Sequence, residues 1–145
     1  MKITKVVVIF TILLISTSCA RRFNVARIVP GVTSTNQVIK YLNEPQYFDR
    51  SSFNGREEVL IWDDVTVQTD DDTVTAVHRM PASHETSLQF WRQHYKKSTQ
   101  NFSKVSSRID SGEHIWQLNL PQHGINVVYD ENLDQVIKVI YYYVE

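Results

Sequence analysis

Histidine, aspartate and cysteine can bind a metal, catalyse a reaction or accept a covalent modification, and this chain contains all three. The five histidines form neither a His-Glu-x-x-His pattern nor any pair spaced i and i+4, the arrangements that place two imidazoles on one metal. Four glycines leave little material for a loop that cradles phosphate. We therefore predict no metal site, no cofactor, no catalytic residue and no enzymatic activity. The histidines are His78, His84, His94, His114 and His123.

Three consecutive aspartates, Asp70, Asp71 and Asp72, lie between two β-rich segments. A calcium-binding EF-hand loop needs alternating ligands, a glycine and a terminal glutamate, and the sequence here lacks that spacing. Aspartates in such a short polar link favour a turn. We predict a solvated hairpin turn.

The only cysteine, Cys19, follows an apolar run over residues 6–15 and the small residues 16–18, and two lysines precede the run. Ten residues rise only about 15 Å as a helix, whereas the hydrocarbon core of a bilayer is about 30 Å thick. The run is therefore too short to span a membrane, and residues 1–18 are predicted to be a signal peptide.

This layout resembles the signals of bacterial lipoproteins, in which the thiol at the cleavage point receives diacylglycerol and the cysteine becomes the new N-terminus. The resemblance implies lipidation of Cys19, with fatty acids such as palmitate, although Ser16 stands where these signals usually carry leucine. Ordinary cleavage after residues 16–18 is one alternative. An uncleaved signal anchor is another, favoured by the charges of Arg21 and Arg22.

Loss of the signal would leave 13 basic and 16 acidic residues, a net charge near −3 without a basic run. Nucleic acid is therefore not an expected partner. The remaining length suits one compact domain or two very small units. Residues 19–27 are predicted to be a tether.

A short helix is predicted over residues 35–42. Val38, Ile39 and Leu42 share one side at helical spacing, and Ser34 with Gln37 has the spacing of a capping box. The helix is expected to stop where Asn43 tolerates a left-handed conformation and Pro45 cannot continue it.

These residues resemble the motif of the BamE (SmpA/OmlA) outer-membrane lipoproteins, which runs Ile-x-x-Gly-Met-Thr, Val, Leu and Gly-x-Pro. The matching positions are Ile28, Gly31, Val38, Leu42 and Pro45, whereas Val32 replaces methionine and Asn43 replaces glycine. The resemblance covers residues 28–78. It implies a lipid-anchored protein at the periplasmic face of the cell outer membrane, in an envelope complex such as the machinery that assembles β-barrel proteins.

Strand signals and a second helix fill the rest of the chain, which is predicted to be α+β, with short helices packed on an antiparallel sheet. The first unit, 28–80, has strands at 58–62, 65–69 and 73–78. The second unit, 81–145, is predicted to open with a helix at Pro81-Ala82-Ser83. This helix carries Leu88, Trp91 and Tyr95 on one side and ends near Lys96 and Lys97. A polar link at 98–112 and strands at 115–120, 124–129 and 135–144 follow. Val65 to Asp70 parallels Ile125 to Asp130, which predicts that the halves are degenerate copies. The alternative is a chance similarity between two ordinary amphipathic hairpins. Such tandem units are similar to the β-lactamase-inhibitor-protein fold.

The last strand carries apolar residues on both faces. If Lys138 points outward, Ile140 and Tyr142 form an exposed apolar strip, and we predict that these two residues contact a partner. The alternative is that the same domain covers that face.

The sequence thus predicts an exported lipoprotein that binds without catalysis, with an envelope protein as partner and the membrane contacted through the lipid anchor. A different function would be an inhibitor or ligand-binding module for a secreted hydrolase or an envelope polymer.

Overall fold

A computed structural model describes residues 24–50, 56–95, 103–106 and 114–144, with the backbone alone for 103–106. The predicted signal peptide, the predicted lipidation site Cys19 and most of the predicted tether lie outside these residues. Among the described residues, no helix has the length and apolar character needed to cross a bilayer.

An eight-stranded antiparallel sheet forms the body of the described chain, in the spatial order β1-β2-β3-β4-β8-β7-β6-β5. The first four strands form one meander and the last four form another, and β4 and β8 join them by antiparallel pairing. Both halves therefore belong to one sheet. The strands are β1 Tyr47–Asp49, β2 Glu57–Ile61, β3 Val65–Asp70, β4 Thr73–Arg79, β5 Ser103–Ser106, β6 Ile115–Leu120, β7 Ile125–Asp130 and β8 Gln135–Tyr142.

The two meanders share a local irregularity. The register shifts between Gln68 and Thr69 in β3, and between Val128 and Tyr129 in β7, each time just before the hairpin turn to the next strand. Each half also has a helix before its meander. That the halves are degenerate copies, divided near residue 80, stays a prediction that this common order favours.

Helix α1, Thr35–Leu42, has the predicted bounds. The Ser34 hydroxyl accepts a hydrogen bond from the Gln37 backbone N–H at 3.4 Å, and the Gln37 side chain accepts one from the Ser34 N–H at 2.9 Å. This reciprocal capping box satisfies two backbone donors that a helix start leaves unpaired. Asn43 ends the helix with a φ of 66°, as its tolerance of positive φ suggests.

The second helix begins later than predicted. Ser83–Glu85 forms only a 3-10 turn, and helix α2 runs from Leu88 to His94. The Glu85 carbonyl accepts a hydrogen bond from the Trp91 indole N–H at 2.8 Å, and the Gln89 N–H donates to the Ser87 hydroxyl at 3.2 Å. In a continuous helix the Gln89 N–H would donate to the Glu85 carbonyl. Because each group has another partner here, the 3-10 turn and helix α2 are separate.

The polar link predicted over 98–112 contains a strand, β5, which pairs with β6. Its sequence, Ser-Lys-Val-Ser, has a single apolar residue and so lacks the alternation that indicates a strand. Strand β1 is an addition to the predicted strands; its three residues are too few to show an alternating pattern.

Both helices pack on one face of the sheet. Helix α1 contributes Val38 and Leu42 to a buried cluster that includes Val77 of β4, and α2 contributes Trp91 to a cluster around Val139 of β8. Tyr141 packs against both clusters, and it lies directly opposite Val77 in the β4–β8 ladder. On the helix-bearing face, Tyr141 therefore covers the seam where the two meanders meet.

Candidate binding site

A cleft of about 370 Å³ opens on the helix-bearing face, at the seam between the two meanders. Strands β4 and β8 contribute side chains to it, as do the start of the described chain and the segment that leads into the 3-10 turn. Most of the side chains are aliphatic. The cleft is lined by Val25, Ala26, Ile28, Asp64, Val65, Val77, Arg79, Met80, Ala82, Glu85 and Tyr141.

An ion pair between Arg79 and Glu85 lies in this lining. Arg79 Nη1 donates to Glu85 Oε2 at 2.6 Å, and Arg79 Nη2 donates to Glu85 Oε1 at 2.8 Å. Only 19% of the arginine side chain and 12% of the glutamate side chain are exposed. Two parallel charge-assisted bonds of this geometry fix both groups in orientation as well as in distance.

Further bonds hold the pair in place. Arg79 Nη2 also donates to the Tyr141 hydroxyl at 2.6 Å, and Nη1 donates to the Met80 carbonyl at 3.2 Å. The Ala82 N–H donates to Glu85 Oε2 at 2.8 Å. Because Arg79 belongs to the first meander and Tyr141 to the second, this network links the two halves across the seam.

The surroundings keep both members of the pair charged. Burial opposes ionisation of Glu85, but the hydrogen bonds from Arg79 and Ala82 outweigh burial and lower its pKa. Burial likewise opposes the charge of Arg79, yet the hydrogen bond to Glu85 and the proximity of Tyr141 raise its pKa. The pair carries no net charge, and a carboxylate bonded in this way is poorly placed to take a proton from a substrate.

The two residues predicted to form an apolar strip on the last strand, Ile140 and Tyr142, are not fully exposed. Ile140 is only 4% exposed, and it packs with Ala76 and Val128 on the face opposite the helices. Tyr142 is half-buried, and its hydroxyl donates to the Asn119 side chain at 3.0 Å. For Ile140 the alternative holds, that the same domain covers this face: β8 lies between β4 and β7, and Ala76 and Val128 of these strands pack with Ile140. Contact of Ile140 and Tyr142 with a partner stays a prediction, which their burial does not favour.

The aspartates form the predicted hairpin turn. Asp71 and Asp72 take positive φ angles of 47° and 63° between β3 and β4, and the Asp71 carboxylate pairs with exposed Arg56 at 2.8 Å. Aspartate tolerates this left-handed region better than most residues with a side chain.

Ring contacts bring three of the five histidines to one aromatic group. His84 and His94 both contact Phe90, at centroid distances of 5.3 and 5.6 Å, and His123 contacts Tyr95 at 4.9 Å. No group of three or more histidine, cysteine, aspartate or glutamate side chains in the described part of the chain could hold a metal ion.

The residues that define the cleft carry no local signal in the sequence. Arg79 and Tyr141 are 62 positions apart, and their meeting depends on the β4–β8 pairing, which no local pattern encodes. Glu85 follows Arg79 by six residues across an irregular segment, so no helical or strand spacing marks the pair.

Comparisons with protein-family models, with curated protein sequences and with solved structures find no match to this chain. The described residues therefore define only a fold class, α+β, in which helices α1 and α2 pack on one face of an antiparallel sheet.

Proposed function

We propose that this chain is an exported bacterial lipoprotein that acts as a non-catalytic binding or assembly-accessory module, held by Cys19 at the periplasmic face of the outer membrane. The cleft at the seam is the observation that supports binding: its walls are largely aliphatic and its ion pair is neutral. An apolar side chain of a partner protein fits such a surface, because burial of aliphatic area drives association.

The paired charges of the cleft favour a binding role over catalysis. General acid–base chemistry needs a side chain that can gain or lose a proton near the operating pH. Glu85 instead has a lowered pKa and accepts bonds from Arg79 and Ala82. The Glu85 carboxylate and the Arg79 guanidinium stabilise each other's charge. The role that fits this pair is to hold the walls of the cleft in place.

Placement at the envelope is supported by the sequence around Cys19. The resemblance of residues 28–78 to the BamE lipoproteins suggests the partner, a complex that assembles β-barrel proteins in the outer membrane. In this proposal the tether presents the cleft close to the membrane, because Val25 follows Cys19 by six residues.

Met80 offers a test that leaves the core intact, since it lines the cleft and is 59% exposed. Leu133 is a matched control: it is 60% exposed and lies in the turn between β7 and β8, outside the cleft lining. We would express Met80→Glu and Leu133→Glu at native level and purify the chain from envelopes in mild detergent after cross-linking. A charge in an apolar contact carries a large desolvation cost.

The proposal expects wild type and Leu133→Glu to recover subunits of the β-barrel assembly machinery, and Met80→Glu to lose them while keeping its thermal midpoint. Equal recovery by both variants would show that the cleft is not the contact surface. Recovery of a soluble hydrolase instead would overturn the assembly role and favour the inhibitor.

A further inference from the structure

A tight turn at Val29-Pro30-Gly31-Val32 exposes two aliphatic side chains. The Val32 N–H donates to the Val29 carbonyl at 3.1 Å, which closes the turn, and Val29 and Val32 are 48% and 74% exposed. The Val29 N–H donates to the hydroxyl of buried Thr33 at 2.8 Å. The valines therefore stand on a backbone that is fixed locally.

Contacts with strand β4 and with Tyr143 hold this turn in place. The Gly31 N–H donates to the Val74 carbonyl at 2.7 Å, and the Tyr143 ring lies directly against Gly31. Tyr143 is itself 53% exposed, and its N–H donates to the Thr75 carbonyl at 3.0 Å. Val29, Val32 and Tyr143 thus form a rigid apolar patch, which we call the valine turn. A preformed patch loses little conformational entropy when a surface covers it.

The position of the valine turn along the chain brings it close to the proposed lipid anchor. Val29 follows Cys19 by ten residues, a stretch that spans at most about 35 Å when fully extended. Three arginines lie in between, at positions 21, 22 and 27, and the guanidinium of exposed Arg27 sits over the Tyr41 ring at 4.3 Å. Basic residues beside exposed apolar and tyrosine side chains are typical of segments that lie in a membrane interface.

We infer that the valine turn docks onto the lipid bilayer that carries the anchor, with Val29, Val32 and Tyr143 inserted at the headgroup level. The inference rests on the proposed function only for the lipid on Cys19. Such an anchor keeps the turn within reach of the bilayer, and docking then fixes the orientation of the sheet relative to the membrane. The acyl chains on Cys19 would already hold the protein at the membrane, and an apolar patch with nearby arginines adds a second, weaker contact that orients it.

Cys19 makes a site-specific test possible because it is the only cysteine. In the chain from residue 19 with Cys19→Ser, which carries no lipid, Val32→Cys or the control Leu133→Cys can be labelled with an environment-sensitive nitrobenzoxadiazole dye. Each labelled protein is titrated with phosphatidylcholine vesicles, with and without phosphatidylserine. Sedimentation velocity without vesicles reports self-association.

The label at position 32 is expected to brighten and shift to the blue on vesicles, more strongly with phosphatidylserine, whereas the label at 133 stays unchanged. Val32→Glu, in the same lipid-free chain, is expected to lower the vesicle partition coefficient by at least about fivefold, and Leu133→Glu to leave it unchanged. Equal responses at 32 and 133, or a position-32 response without vesicles that follows self-association, would overturn the inference. Intact-mass measurement of the natural protein tests the lipid on Cys19 separately. Failure of the bilayer docking can therefore be distinguished from failure of the proposed lipid anchor.

Discussion

Arg79 and Glu85 join through two parallel hydrogen bonds of 2.6 and 2.8 Å, at the seam where the two meanders of the sheet meet. The same guanidinium holds Tyr141 of β8 at 2.6 Å. This places a neutral, oriented pair in an otherwise largely aliphatic cleft. The stability of the seam and the shape of the cleft should therefore depend on the same few side chains.

Replacement of Arg79 by leucine should destabilise the fold. Loss of one member leaves the Glu85 carboxylate poorly solvated and without its partner, which costs about 3 kcal/mol for a largely buried pair. Urea denaturation would measure the loss. Arg56→Leu is the control, because the Arg56–Asp71 pair is well exposed and its loss should change the free energy of unfolding by less than about 1 kcal/mol. Equal effects of the two substitutions would contradict a structural role for the Arg79 pair.

Acid should weaken the contribution of Glu85. Its pKa in the folded chain lies below the ordinary value of 4.5, so its stabilisation is complete above 4.5 and is lost as pH falls through the lower folded value. Wild type should be more stable than Glu85→Gln at neutral pH, and the difference should shrink in acid. Urea midpoints of both proteins, measured across acidic and neutral pH, check this. A difference that stays constant or grows in acid would mean that the carboxylate form is not the stabilising one.

Gly31→Ala should destabilise the valine turn for two separable reasons. Gly31 has a φ of +79°, and a Cβ there would clash with the Tyr143 ring. Strain at positive φ and crowding together should cost about 2 kcal/mol, since the half-exposed ring can move aside. In a Tyr143→Ala background only the φ strain remains, about 1 kcal/mol. A double-mutant cycle of unfolding free energies measures the coupling. Zero coupling would contradict the contact.

The Ser34 cap should stabilise the start of α1. Ser34→Ala removes the acceptor of the Gln37 N–H and should cost about 1 kcal/mol. Ser34→Asp supplies another acceptor and should restore most of this loss. Thermal unfolding of the three proteins, followed by circular dichroism, would compare them. An alanine variant as stable as wild type would show that the capping box contributes nothing measurable.

The sequence allowed prediction of the elements whose signals are local. Helix α1 has its predicted bounds because Ser34, Gln37 and Asn43 act within one turn of its ends. Strands β2–β4 and β6–β8 alternate or concentrate β-branched residues, and the α+β class follows from them. The short strands β1 and β5 carry too few apolar residues to produce such a signal.

The cleft could not be predicted because it depends on tertiary pairing. Tyr141 reaches Arg79 only because β8 inserts between β4 and β7 and places the last strand at the centre of the sheet. The same insertion buries Ile140, which a last strand at the edge of a sheet would have left accessible. Strand order is decided by contacts between segments far apart in sequence, which the alternation within one strand does not report.

The most direct measurement of the proposed lipoprotein is the intact mass and membrane fractionation of the natural protein, compared with Cys19→Ser. The proposal predicts a mature chain that begins at Cys19, is heavier by diacylglycerol and an added fatty acid, and fractionates with the outer membrane. It also predicts that Cys19→Ser loses both the added mass and the membrane retention. An unmodified, soluble chain cleaved near residue 19 would contradict the lipid anchor and leave a freely secreted binding protein.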